Sequence, residues 1–277
     1  MPTTKQEARA METSSKFDVW SAGDAYEHYM GRWSKQLAPS FLAWLEPPRQ
    51  ADWLDIGCGT GVVTEAILRN CSPATVTAID PSDGFVSHAR SRIADPRAEF
   101  RTADAMALPV EDASFDVVTS GLVLNFIPDK VAALEEMQRV LKPGGLLSFY
   151  VWDYPGGGLG FVDAFWKAAA SIDPNAAELD ESTRFPVCTP DGVRGLCHAA
   201  GLSGAEVTAI EGTSDFAGFE DFWTPFTLGA GPAPGYYNSL EQARQSELKA
   251  VLASRFDNQG PFSLPLRAWG ARVRTPT

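Results

Sequence analysis

A chain of 277 residues, 44% hydrophobic and 21% charged, carries enough apolar side chains for a core of ordinary size and too many for global disorder. Its formal net charge of −12, with no block of Lys or Arg, excludes the electrostatic footprint of a general nucleic-acid binder and of a polybasic membrane anchor. Cys58, Cys71, Cys188 and Cys197 show no C-x-x-C spacing and His28, His88 and His198 are scattered. No metal site is expected, and the thiols read as unpaired, buried groups of a reducing compartment.

Residues 1–15 are polar and without hydrophobic period, which predicts a loose tail, and they lack the apolar segment of a secretory signal. No apolar run reaches the ~18 residues needed to span a bilayer. A cytoplasmic location is expected by elimination. Across 16–50, apolar residues from Tyr26 through Leu45 recur at intervals of three and four and predict one or two cap helices, broken or restarted at Pro39 and ended by Pro47-Pro48.

The most informative stretch follows. Trp53-Leu54-Asp55-Ile56 is an apolar run that meets Gly57-Cys58-Gly59-Thr60-Gly61, and Val62 to Leu68 continues with helical spacing. Strand, tight turn and helix in that order form a nucleotide-cofactor turn, because glycines accept positive φ and the first N–H groups of a helix are unpaired donors. Strands are then predicted at Thr75–Ile79, ending on Asp80, at Ala98–Thr102, ending near Asp104, at Phe115–Ser120 and at Leu146–Trp152. Helices are predicted around Phe85–Ile93 and over Asp129–Leu141, the latter capped by Asp129 and stopped by Lys142-Pro143-Gly144-Gly145. This alternation implies a parallel sheet with helices on both faces, whose ligands collect beyond the carboxyl ends of the strands, near Asp55, Asp80, Asp104 and Ser120. Further helices are expected over 164–172, 190–200 and 240–256, and final strands over 204–210 and 262–273. No repeat or Pro/Ser-rich linker appears, so 16–277 reads as one domain: a cofactor core over 51–152 and acceptor-side insertions over 153–201 and 212–260.

The order and spacing of these segments resemble the class I S-adenosylmethionine-dependent methyltransferases, of the small-molecule type with a methyltransferase domain 11-like core. Leu54 to Gly61 is similar to that family's first motif, Asp80 to its acidic second-strand end, and Ala103-Asp104-Ala105-Met106-Ala107-Leu108-Pro109 to its adenine-binding segment. Phe115-Asp116-Val117-Val118 and Leu141-Lys142-Pro143-Gly144-Gly145 match its fourth strand and the turn into its fifth. The resemblance runs from about Tyr26 to Trp152 and fades beyond. It implies a Rossmann-like, doubly wound, mostly parallel seven-stranded sheet with an antiparallel last strand and S-adenosylmethionine as cofactor; the aromatics outside the cofactor half add the expectation of an aromatic-rich helical lid. The cofactor set it implies is Tyr29, Arg32, Asp55, Gly57, Cys58, Gly59, Gly61, Asp80, Ser82, Asp104, Ala105, Met106, Ser120 and Leu122. Nineteen residues after Gly61, Asp80 can accept from both ribose hydroxyls, Asp104 from the adenine amine, and Arg32 can pair with the methionine carboxylate. Cys58 is explained by packing.

A dinucleotide fingerprint would need a third glycine where Val62 stands, which ranks a nicotinamide oxidoreductase third. A catalytically silent S-adenosylmethionine-binding regulator is the alternative of a different class. Methyl transfer from a sulfonium needs no obligatory triad, so no catalytic residue is fixed. Acceptor-side candidates are Asn125, Asp153, Tyr154 and Trp223, with His198 or Asp153 as a base. The aromatics concentrated after residue 153 point to a small apolar or aromatic methyl acceptor, with O-, C- and N-acceptors open. No nucleic acid or membrane partner is expected, and the oligomeric state is left open.

Overall fold

The computed structural model describes residues 27–228, 231–256 and 260–276. The expected tail and the start of the first helical stretch, including Tyr26, lie outside the described residues. The chain forms two compact units. A sheet unit comprises Gly31–Asp153, Val187–Gly212 and Arg267–Thr277. An aromatic unit comprises, among the described residues, 27–30, Tyr154–Pro186 and Thr213–Leu266. Among the described residues no helix is long and apolar enough to cross a membrane.

The sheet unit begins with α1 (Arg32–Leu45), preceded by a π-helical turn at Glu27–Gly31. Contrary to expectation, Pro39 lies inside α1 and does not break it. It sits on the exposed face, while Leu37, Phe41, Leu42 and Leu45 are buried on the other face and hold the helix together.

Five parallel-paired strands follow with their helices: β1 (Asp52–Ile56), α2 (Val62–Asn70), β2 (Thr75–Asp80), α3 (Asp83–Arg92), β3 (Ala98–Thr102), β4 (Phe115–Gly121), α4 (Lys130–Arg139) and β5 (Leu141–Trp152). Trp53, Leu54, Val76, Ile79, Val117, Val118 and Phe149 are buried, the pattern of a sheet covered on both faces. Asp129 caps α4 as expected, its carboxylate accepting from Ala132 N–H at 3.0 Å. Next come α5 (Gly160–Ile172), the single turn α6 (Glu181–Arg184) and α7 (Pro190–Ala199), then β6 (Glu206–Phe216), α8 (Phe219–Trp223), α9 (Pro232–Ser239), α10 (Gln242–Phe256) and β7 (Phe262–Arg274). The order β3-β2-β1-β4-β5-β7-β6 makes a seven-stranded sheet in which β7 runs antiparallel to β5, as the resemblance implied. β1 lies between β2 and β4, so the chain reverses direction across the sheet beside the glycine turn.

In the aromatic unit, rings from separate segments close on one another. Phe165 stacks on Phe226 at 4.6 Å between centroids, Phe222 packs on Phe256 at 4.9 Å, and Phe256 stacks on Phe262 at 4.9 Å.

Candidate cofactor site

The three glycines after β1 all have positive φ: +69° at Gly57, +52° at Gly59 and +88° at Gly61. A Cβ on Gly57 would fall 2.3 Å from Val123 Cγ1, so packing as well as conformation requires glycine there. A Cβ on Gly59 would meet nothing within 4 Å, which leaves its backbone open to a ligand. Backbone bonds fix the turn: Cys58 N–H donates to the Ile79 carbonyl at 2.8 Å, and Gly61 N–H to the Cys58 carbonyl at 2.8 Å.

Asp80 ends β2 and is buried. One carboxylate oxygen accepts from Gly59 N–H at 3.0 Å and the other from Ser82 N–H at 2.9 Å. Each oxygen keeps a further lone pair, so the side chain that shapes the turn can still accept from two hydroxyls. Burial raises its pKa, and the two N–H donors oppose that shift. The Ser82 hydroxyl caps α3, accepting from Phe85 N–H at 3.4 Å. Asp55, fully buried under the turn, accepts from the Thr64 hydroxyl at 2.6 Å. Burial above all, with a smaller contribution from the Asp80 charge, pushes its carboxyl up to about 7. Burial first, then the charges of Asp55 and Asp80, also raises the Cys58 thiol well above its ordinary value, which fits packing and not nucleophilic chemistry.

Asp104, Ala105 and Met106 follow β3, which is joined to this region by Ala103 N–H donating to the Asp80 carbonyl at 3.2 Å. Asp104 is exposed and accepts from Met106 N–H at 2.8 Å, so it builds its own loop, while Ala105 is buried. A bracket that the sequence reading missed holds the loop's far end. Glu136 accepts from Leu108 N–H at 2.8 Å, and Arg139 donates to the carbonyls of Leu108 and Val110 at 3.0 and 2.9 Å. The Glu-x-x-Arg spacing at the end of α4 was visible, but its target loop was not.

Across the sheet, Ser120 ends the β4 pairing with β1, opposite Ile56. Leu122 has φ +62°, and its N–H donates to the Tyr150 carbonyl at 2.8 Å. Asp55 Oδ1, Thr60 Oγ1, Ser120 Oγ and both amide atoms of Asn125 are buried without a hydrogen-bond partner among the described residues. Native interiors leave few such atoms orphaned, and these five lie in the glycine turn and at or just after the carboxyl ends of β1 and β4, with others elsewhere in the chain. Of these, Asp55, Thr60 and Ser120, with the open backbone at Gly59, fit a polar nucleoside cofactor.

The remaining candidates are divided between the two units. Arg32 is exposed, its guanidinium 4.4 Å from the centroid of the Trp33 ring. The buried Asp153 carboxylate accepts from Arg267 Nε at 2.6 Å, and its N–H donates to the Arg267 carbonyl, so it anchors β7 to β5. His198 is exposed in the last turn of α7. In the aromatic unit, Tyr29 packs edge-on against Phe161 and Phe226, with its hydroxyl buried and unpartnered among the described residues. Tyr154 lies against Phe185, and Trp223 lies against Phe219 and Tyr237. Sequence reading also missed Glu181, a buried carboxylate that accepts from Trp166 Nε1 and that burial pushes up to about 7.

The family profile described as "Methyltransferase domain" matches residues 54–149. Demethylmenaquinone methyltransferase of Staphylococcus aureus is 44% identical over 96 residues, which is 34% of this chain and 40% of that protein. The chain thus spans about two fifths of the length of the curated relatives it matches. Among solved structures, the YcgJ protein of Bacillus subtilis is 16% identical with a TM-score of 0.56, covering 87% of this chain and 99% of that one. Phosphoethanolamine N-methyltransferase 2 of Haemonchus contortus, solved with S-adenosyl-L-methionine, is 16% identical with a TM-score of 0.56, covering 99% of this chain and 58% of that one. Glycine turn, strand order and profile agree: residues 54–149 of this chain match a methyltransferase domain, and the fold is consistent with a class I S-adenosylmethionine-dependent methyltransferase.

Proposed function

We propose that the protein transfers a methyl group from S-adenosylmethionine to a small, apolar or aromatic acceptor by in-line displacement. The observation that carries this reading is the Asp80 carboxylate bonded to Gly59 N–H beside a glycine turn whose middle residue faces open space. Asp80 holds the ribose hydroxyls, the Asp104–Met106 loop takes the adenine, and the backbone of the turn lies against the amino-acid end. The cofactor supplies an electrophilic methyl on a sulfonium whose leaving group is a neutral thioether and needs no protonation. The protein's share is to hold the acceptor's lone pair in line and to exclude water. An O- or N-acceptor also releases a proton, and a weakly acidic one needs a base.

Support for the acceptor class is of two kinds. One relative, identical at 44% over 96 residues, is named demethylmenaquinone methyltransferase. The insertions after residue 153 are rich in aromatic side chains, although the structure packs most of these rings against each other, so composition alone overstated how many are available to a ligand.

Calorimetric titration of the full chain with S-adenosylmethionine and with NAD separates the cofactor classes; tight NAD binding without a response to S-adenosylmethionine would overturn the reading. Screening quinols, phenols and amines with methyl-labelled cofactor then tests transfer. Tight cofactor binding with no labelled product across that panel would favour a silent regulator.

A further inference from the structure

Asn125 sits in the 3-10 turn Leu124–Phe126 that follows β4, and 2% of its surface is exposed. Neither Oδ1 nor Nδ2 has a hydrogen-bond partner among the described residues. The position is fixed from the cofactor side. Two residues earlier, Val123 fills the space beside Gly57, with its Cγ1 2.3 Å from where a Cβ on that glycine would stand. Leu122, one residue before that, is held in left-handed backbone conformation by its bond to the Tyr150 carbonyl. A segment packed this closely on the glycine turn carries a wholly buried carboxamide that bonds to nothing.

Burying an amide without partners is costly, and an apolar residue of the same shape would avoid that cost. A carboxamide has one further property: it presents a hydrogen-bond acceptor and a donor side by side on one planar edge, and it neither gains nor loses a proton at ordinary pH. It is suited to recognition and not to proton transfer.

We infer that Asn125 is a specificity-determining residue that reads the methyl acceptor, and that the acceptor carries a hydrogen-bond donor and a hydrogen-bond acceptor on neighbouring atoms of a flat apolar skeleton, as a lactam or a hydroxy-carbonyl compound does. This rests on the methyltransferase reading and adds the polar pattern of the substrate. The complementary edge of such a molecule satisfies both amide atoms at once. An analogue with two acceptor atoms in the same places leaves Nδ2 one partner and sets its second oxygen against Oδ1.

Two isosteric bicyclic probes differ in this one respect: 2-quinolone presents N–H beside C=O, and coumarin presents a ring oxygen beside C=O. Calorimetry of the full chain, saturated with S-adenosylhomocysteine, is expected to show 2-quinolone bound at least ~10-fold more tightly than coumarin. Asn125→Leu is expected to bind the two probes equally, to keep its affinity for S-adenosylmethionine, and to melt at a higher temperature than the natural protein, because an unsatisfied buried amide has been removed. Asn125→Asp, which keeps the acceptor facing the group in which the probes differ but loses the Nδ2 donor that both carbonyls use, is expected to weaken both probes and to keep the preference for 2-quinolone. Equal affinity of the natural protein for both probes overturns the inference, as does a preference that survives in Asn125→Leu. A lower melting temperature of that variant overturns it too, because the amide is then tied to internal water or protein groups, and so does a loss confined to S-adenosylmethionine affinity. Failure of the natural protein to bind S-adenosylmethionine or S-adenosylhomocysteine overturns the methyltransferase reading itself and is distinguishable from all of these.

Discussion

The carboxylate of Asp80 accepts the backbone N–H of Gly59 at 3.0 Å, tying the end of β2 to the middle of the glycine turn. Its removal is expected to loosen the turn and to take away the proposed ribose acceptor together. Asp80→Ala is expected to weaken S-adenosylmethionine binding by at least ~1–3 kcal/mol, the worth of a charge-assisted hydrogen bond. Calorimetry checks this, and an unchanged affinity would remove Asp80 from the site.

The first two glycines of the turn should fail in different ways. Gly57→Ala drives a Cβ into Val123 at positive φ and is expected to cost about 2–5 kcal/mol in urea unfolding, part of which Val123→Ala restores in the double variant. Gly59→Ala meets open space and should cost about 1 kcal/mol of stability while lowering cofactor affinity ~10-fold or more, because the new methyl occupies the ligand's approach. Equal loss of stability in the two variants would contradict this assignment.

Stability should fall as pH rises from about 4 to about 7. Burial raises Asp55 from 3.8 to about 7 and Glu181 from 4.5 to about 7, so across that window the folded chain binds protons that the unfolded chain has released. The contribution is full below the ordinary carboxyl values and is lost as pH passes the folded ones; its size is of order a few kcal/mol. Asp55→Asn retains an acceptor for Thr64 and should flatten its share of the slope. Denaturant unfolding at several pH values reads the difference, and parallel curves for the variant and the natural protein would refute it.

Asp153 is expected to behave as a strand anchor. Arg267→Met leaves its carboxylate buried without the guanidinium and should destabilise by about 2–4 kcal/mol, toward the low end because Arg267 is itself part exposed. A variant as stable as the natural protein would show that the pair anchors nothing.

Trp166→Phe removes the indole N–H that Glu181 accepts and leaves a buried carboxyl with one donor fewer, with an expected loss of ~1–3 kcal/mol. Glu181→Gln, which keeps an acceptor oxygen for the indole, should lose less. The reverse order would rule out the indole as the donor that matters.

What could be read from the chain was local or had a short period. The glycine turn, the Asp129 cap and the strand-helix alternation are encoded within a few residues of themselves, and the structure reproduces them. Asp80 and Asp104 lie at the strand ends where spacing placed them, although each also shapes its own loop, a structural duty that spacing does not reveal. Pro39 misled because a helix end was inferred from one missing donor, whereas buried residues before and after it outweigh that loss. Glu181 and the Arg139 bracket were illegible because their meaning depends on partners brought close only by the fold. The aromatic residues after 153 showed their number in the sequence, but not that they turn toward each other.

The sheet order also bears on the order of synthesis. β6 is made before β7, yet in the finished sheet its neighbour is β7, which lies between it and β5. Until residues 262–274 leave the ribosome, β5 presents an unpaired edge and β6 has no strand to join. Open strand edges of this kind recruit other chains, so slow translation or premature termination just before β7 is expected to send the nascent protein toward aggregation or a holding chaperone, with the glycine turn already built.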